Sequence, residues 1–405
     1  MKNISLSDSI KNKEKKTSKN CKKNKLVKIL IYISISFFSF GIGVLITSIY
    51  NNYTSSEESS RDTLGITPET DNSSDETLVF SDKPITSPLN GIEIPEEKYE
   101  KLVKNIPHAV MISNNKSARV EQYGLTYADI VYEAQVEGGI TRFMGIYWSN
   151  QEDFIIKPVR SVRKYFLDWL IEYGNIPISF TGFATTDNYD TNAFGFYKEQ
   201  GIRTTYWYWP FKWDDKCLTK QPSMHCKRVH PEDLYGIFNN MKWSYESWNG
   251  FLGENEWSFS ENIENSDEYD NAFEFEYDFA GPNDWSTRWT YNQSENVYEK
   301  HDPVDYHKDM ENDNIIKAST VIIQKADREY TYDSEDRVSY KTTGNGDAYV
   351  MRDGKVIPAH WSKEFYKYRT YFFHVKHPFY KYEISLKPGL IWLALVPSDK
   401  DVTFY

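Results

Sequence analysis

Six residues of this sequence could do chemistry together. Glu133 and Glu137 precede the Gly138-Gly139 pair, Arg142 follows it, and Arg160, Ser161 and Arg163 stand in the segment KPVRSVR. Carboxylates and guanidiniums in one place support three kinds of chemistry. They can pair with one another and lock two elements together. They can form a pocket for an anionic or sugar-containing ligand, which arginine grips through charge-assisted, often bidentate, hydrogen bonds. Or Glu133 or Glu137 can serve as general acid or base on a glycan, a reaction that needs two carboxyls at a set separation. No wider catalytic set accompanies them. There is no G-x-S-x-G and no phosphate-cradling glycine loop, and His360, His374 and His377 have no metal spacing. No catalytic residue is assigned, and no cofactor is expected.

Cys217 and Cys226 are the second constellation. They enclose a short loop containing Pro222, and a disulfide between them suits an extracytoplasmic protein. With His225 and His230 they could instead form a zinc-type set, or they could stay as free thiols. A third feature is the aromatic run YWYWPFKW, Tyr206–Trp213. Its rings could pack in a core or edge strand, stack on sugars, or sit at a membrane interface.

The elements that must position these residues are readable in outline. In DIVYEAQVEGGITRFMGIYW, strand-forming runs flank Gly138-Gly139, the signal of a two-residue hairpin. That turn sets Gln135 opposite Arg142, Ala134 opposite Phe143 and Glu133 opposite Met144. One face then carries Tyr132, Ala134 and Val136 with Phe143, Gly145 and Tyr147. The other carries Glu133, Gln135 and Glu137 around Arg142, within diagonal reach. After Pro158, Ser161 is the expected N-cap of a helix whose apolar side is Phe166, Leu167, Leu170 and Ile171 and which stops at Gly174. The residues at that helix start would favour an anion. Ile176–Phe180 follows as a strand. Toward the C-terminus, runs at 319–324, 371–375, 382–386 and 391–396 suggest a mixed or antiparallel sheet, with a hairpin turn at Asp353-Gly354.

Charge divides the chain sharply. Residues 1–28 hold ten Lys and two acids, a net of +8, so the overall −12 becomes −20 over residues 29–405. A body this acidic repels a nucleic-acid backbone, and that partner is excluded. Ile29–Tyr50 has no charged side chain. As a helix it is about 33 Å long, enough to cross a ~30 Å hydrocarbon core. The preceding lysines place the N-terminus in the cytoplasm and the body outside. The run is longer than a signal-peptide core and offers no small-x-small cleavage site. The expected layout is a basic cytoplasmic tail (1–28), a single transmembrane anchor (29–50), a Ser/Thr/Asp/Glu-rich linker (51–85), an α+β module (86–255) and a β-rich module (256–405).

PHAVMISNN (107–115), GLTYADIVYE (124–133), VEGGITRF (136–143) and KPVRSVR (157–163) resemble the N-terminal signature of the YerB-like lipoprotein family. The segments TVIIQ (320–324), GNGDAYVMRDGKVI (344–357) and LKPGLIWLALVP (386–397) resemble that family's second domain. The similarity spans roughly 85–405. There are departures. A helical anchor stands where relatives often carry a lipid. The sequence reads Phe180-Thr181-Gly182-Phe183 where the family tends to show His and paired glycines, and Pro231-Glu232-Asp233-Leu234-Tyr235 where it shows Pro-His-Asn-Leu-Tyr. The resemblance implies a layered α+β fold of mixed or antiparallel sheets with helices, a ββα-type sandwich, and a role in the bacterial envelope. It brings no reaction. The expectation is a membrane-tethered binding or interaction protein for a cell-wall or envelope ligand. A glycan hydrolase and a scaffold for another envelope protein are the alternatives.

Overall fold

The computed structural model describes residues 85–405, except 151, 215–216, 218–225, 251–255, 281–285, 303–304, 334 and 376–382. The expected tail, anchor and linker lie outside the described residues except for Ile85, which pairs with Ile94 in a two-residue strand. Among the described residues, no helix is long and apolar enough to cross a membrane.

The most apolar runs of the described residues form the middle of one large mixed sheet. Its strands are β1 (His108–Ser113), β2 (Ile130–Gln135), β3 (Thr141–Tyr147), β4 (Ile178–Ser179), β5 (Thr320–Ala326), β6 (Gly344–Arg352), β7 (Lys355–Lys363), β8 (Tyr371–His374) and β9 (Ile391–Pro397). Their spatial order is β8-β7-β6-β5-β9-β2-β3-β1-β4, with Asp270–Asn271 pairing onto β7 as a tenth strand. Three pairs are parallel, namely β5 with β9, β9 with β2 and β1 with β4. Strands β1, β2, β3 and β9 are buried along their whole length. Such strands are covered on both faces and read as continuous apolar runs. Because β9 pairs with β2, the C-terminal half of the chain completes the sheet of the N-terminal half. Residues Phe80–Tyr405 accordingly form one compact unit.

One face of the sheet is covered by a smaller antiparallel sheet in the order Lys317–Ala318, Val297–His301, Thr287–Asn292, Glu274–Tyr277, Val402–Phe404. Trp289 of this layer meets Trp392 of β9 edge to face at 5.4 Å, and Trp392 also meets Phe143 at 5.1 Å. The other face is covered by a helix, Lys164–Leu170, whose Trp169 packs 4.6 Å from Tyr132. A buried ion pair ties this helical segment to β7, where Lys363 meets Glu172 at 2.6 Å and both side chains are fully buried. The expected α+β layering is therefore present, with mostly strands and few helices.

Two local expectations are corrected. The β2–β3 turn holds three residues, not two. Val136 N–H donates to the Ile140 carbonyl at 2.7 Å, and Gly138 and Gly139 have φ of 64° and 75°. The register is consequently Gln135↔Thr141, Ala134↔Arg142, Glu133↔Phe143. A slip of one residue turns every side chain of a strand to the other face. Arg142 therefore shares a face with Tyr132 and Ala134, while Glu133 faces the Trp392 layer with Phe143. The second correction concerns the helix. It starts at Lys164 with Arg163 as its N-cap, and no side chain caps it. Ser161 lies upstream in extended chain, where Val162 bridges to Phe183. The expected stop is observed, since Gly174 has φ 72° and packs so tightly on Gly250 that an added Cβ would sit 2.6 Å away.

Candidate functional site

The register divides the sequence-derived cluster into two places. Glu133 is fully buried. Its carboxylate accepts from Thr141 Oγ1 at 3.0 Å, from the Trp392 indole N–H at 3.1 Å and from Asn114 at 3.5 Å. Lys300, 1% exposed, sits over the Trp392 ring at 5.3 Å. Burial pulls its ammonium below the ordinary value, and Glu133 and Asp302 partly offset that. Asp302 in turn faces His307 at 3.1 Å and Arg119 at 3.2 Å. This is a closed polar seam between the two sheets, reached by residues far apart in sequence. Nothing in the spacing of Lys300, Asp302 and His307 pointed to Glu133.

The other residues assemble on the helix-covered side, around the hairpin tip. Glu137 binds the Arg163 Nε and lies 4.0 Å from Arg142. Arg142 donates to the Ser161 carbonyl at 2.6 Å, and Arg163 donates to the Val162 carbonyl at 2.9 Å. Arg160 makes no side-chain hydrogen bond or ion pair among the described residues, and the buried Nε atoms of Arg142 and Arg160 have no partner. Arg142 and Arg163 thus share one carboxylate, and Arg160 adds a third charge with no ion pair of its own among the described residues. The imbalance shows in their protonation. Burial, then Arg163, pulls Arg142 down to about 9 against the opposing pull of Glu137. Arg160 is lowered too, by burial and then by Arg163. Glu137 moves the other way. Burial opposes its ionisation, but the hydrogen bond and charge of Arg163, with Arg142 beside it, bring its carboxyl below the ordinary 4.5. A set of like charges that depress one another is a place where an anion gains.

The backbone explains why these residues meet. The segment after the Lys157-Pro158 bond threads between neighbours. Arg160 N–H donates to Met111 O of β1 at 3.0 Å, Thr181 N–H to Arg160 O at 3.1 Å, and Val159 N–H to Lys227 O at 2.9 Å. Gly182 lies so close to Ser161 that a Cβ there would sit 2.9 Å from its Oγ. Lys227 is a cation that the sequence did not flag. Burial lowers its ammonium, and Arg160 lowers it further. It joins the cluster only because the 227–228 strand pairs back onto Lys212–Trp213.

Cys217 and Cys226 are disulfide-bonded, with Cα atoms 5.5 Å apart. Their sulfurs are therefore not zinc ligands. His230 instead contacts Arg228 at 2.5 Å and Asp153 at 3.6 Å, and His225 lies outside the described residues. No group of residues able to hold a metal ion occurs among the described residues. The aromatic run is neither core nor plain edge strand. Tyr206 and Phe211 pack inward, while Trp207, Trp209 and Trp213 are about half exposed, at 60%, 50% and 47%.

The fold and this cluster define a layered α+β protein with a partly buried arginine cluster at a hairpin tip. Two family models match the chain, both described as a protein of unknown function (DUF3048), the N-terminal domain over residues 94–210 and the C-terminal domain over 275–393. A Bacillus subtilis (strain 168) protein named "Putative lipoprotein YerB" is 41% identical over 85 residues, 21% of this chain and 24% of that protein. The alignment thus spans about a quarter of that relative. The crystal structure of YerB from Bacillus subtilis matches with a TM-score of 0.62 at 20% identity, covering 79% of this chain and 99% of that one, a likeness of fold. The chain belongs to the YerB-like, two-part DUF3048 family.

Proposed function

We propose that this chain is a membrane-tethered, extracytoplasmic protein of the bacterial envelope that binds an anionic envelope ligand through Arg142, Arg160 and Arg163. One observation carries the reading: Arg142 and Arg163 share the Glu137 carboxylate, and Arg160 beside them is left without a hydrogen bond or ion pair among the described residues. An incoming phosphate, sulfate or carboxylate would supply the missing acceptors and offset the burial, and then the Arg163 charge, that lower Arg142 and Arg160. The apolar run at 29–50, the lysines before it, the disulfide and the lipoprotein name of a relative support the location. Glu133 has no part in the site, being enclosed on the opposite face.

The test is a titration of the detergent-solubilised full chain with inorganic polyphosphate. The lysines of residues 1–28 are changed to glutamine so that the tail does not bind the probe. Saturable binding that weakens linearly with the logarithm of salt is expected. Absence of saturable binding at low salt would overturn the reading.

A further inference from the structure

An exposed aromatic platform adjoins the arginine cluster. Trp207 meets Tyr206 edge to face, with ring centroids 4.9 Å apart, and Tyr206 in turn lies against Phe183 at 5.0 Å. Phe183 is the residue that bridges to Val162, beside Arg163. The Lys227 ammonium sits 4.6 Å from the ring of Trp209 and 5.4 Å from that of Trp213. Lys227 therefore links the two features, since its charge also acts on Arg160 and its carbonyl holds the Val159 backbone. Trp209 is held in the left-handed region at φ 48°, immediately before Pro210. A bulky side chain in that conformation is strained, and such strain concentrates at binding sites. It also turns the ring outward, where half of it is exposed.

Aromatic rings half open to water, with cations along one edge, have a definite complement. The apolar faces of sugar rings pack on indoles, while acidic groups pendant on the same chain meet lysine and arginine. We infer that the ligand is an anionic polysaccharide, laid with sugar rings on Trp207, Trp209 and Trp213 and its acidic groups at Lys227, Arg160 and Arg163. The inference rests on the anion-binding reading above and names the class of that site's ligand. Charge complementarity favours this occupant over a bilayer. The cations form a border that continues into a partly buried arginine cluster at one edge of the rings, whereas a membrane-facing patch needs only apolar depth with cations around its rim.

The experiment uses the full chain in detergent, in the tail-neutralised background. It compares dextran sulfate, uncharged dextran and polyphosphate, and adds phosphatidylglycerol vesicles with the chain reconstituted in nanodiscs. Tryptophan fluorescence reports occupancy. Dextran sulfate is expected to bind at least tenfold more tightly than polyphosphate at equal anion concentration, and dextran weakly. In Trp207→Ala/Trp213→Ala, dextran sulfate should lose at least tenfold more affinity than polyphosphate. Both tryptophans are exposed enough that the melting temperature should fall by only a few degrees. If dextran sulfate and polyphosphate bind alike and the variant weakens them equally, the platform inference fails while the anion site stands. If neither binds, the anion-binding reading itself fails. Vesicle binding lost in the variant, with no preference for dextran sulfate, would make the rings a membrane contact and overturn the inference.

Discussion

At Glu133 and Glu137, two carboxylates four residues apart have different roles. Glu133 is enclosed among donors from Trp392, Thr141 and Asn114, with buried Lys300 as its nearby cation. Glu133→Gln removes the charge that offsets Lys300 and should cost about 3 kcal/mol in urea unfolding, with no change in polyphosphate affinity. Glu137→Gln should do the reverse in kind. Its folded-state ionisation lies below 4.5, so its stabilisation is present above the unfolded value and fades as pH falls through the folded one. The substitution should cost about 1.5 kcal/mol at neutral pH and progressively less in acid. It should also tighten polyphosphate binding, because the one carboxylate among three guanidiniums is gone. A pH series of melts on both proteins, with a titration at neutral pH, checks both signs.

Among the elements, the sequence carried the strands better than their relation to one another. TVIIQ and IWLALVP were legible as buried strands because continuous apolar runs leave few other solutions. The Asp353-Gly354 hairpin was legible because both residues need positive φ, which they have at 53° and 71°. The β2–β3 register was not legible. Two glycines fit a two-residue or a three-residue turn, and the difference turns Glu133 away from Arg142. Likewise Arg160 was legible as a candidate, but its neighbour Lys227 depends on a strand pairing with no local signal. The lock between the helical segment and β7 had no signature either. Lys363→Met leaves Glu172 buried without its cation and should cost about 3–5 kcal/mol. The disulfide is the simplest element to test. Of three cysteines, only Cys21 should react with a thiol reagent in the denatured, non-reduced chain. Cys217→Ser/Cys226→Ser should lower stability by about 2–3 kcal/mol through the short loop it opens.

On the scale of the whole molecule, the site depends on both halves of the chain. β9 from the C-terminus supports β2, and Trp392 on β9 packs on Phe143 beside Arg142 in β3. Residues 86–255 expressed alone should therefore lack slow-exchanging amides in β2, since one edge of that strand and one face of the sheet are uncovered. A cooperative melt with protected β2 amides in that fragment would contradict a shared sheet. The proposed anion site of uncompensated guanidiniums is probed with least disturbance at Arg160, because its side chain holds no partner among the described residues. The measurement is the polyphosphate dissociation constant of Arg160→Gln beside its tail-neutralised parent, at one low salt concentration. An affinity about tenfold weaker or more is expected, with a shallower salt dependence and an unchanged melting temperature. Equal affinity in the two proteins would contradict the proposed site.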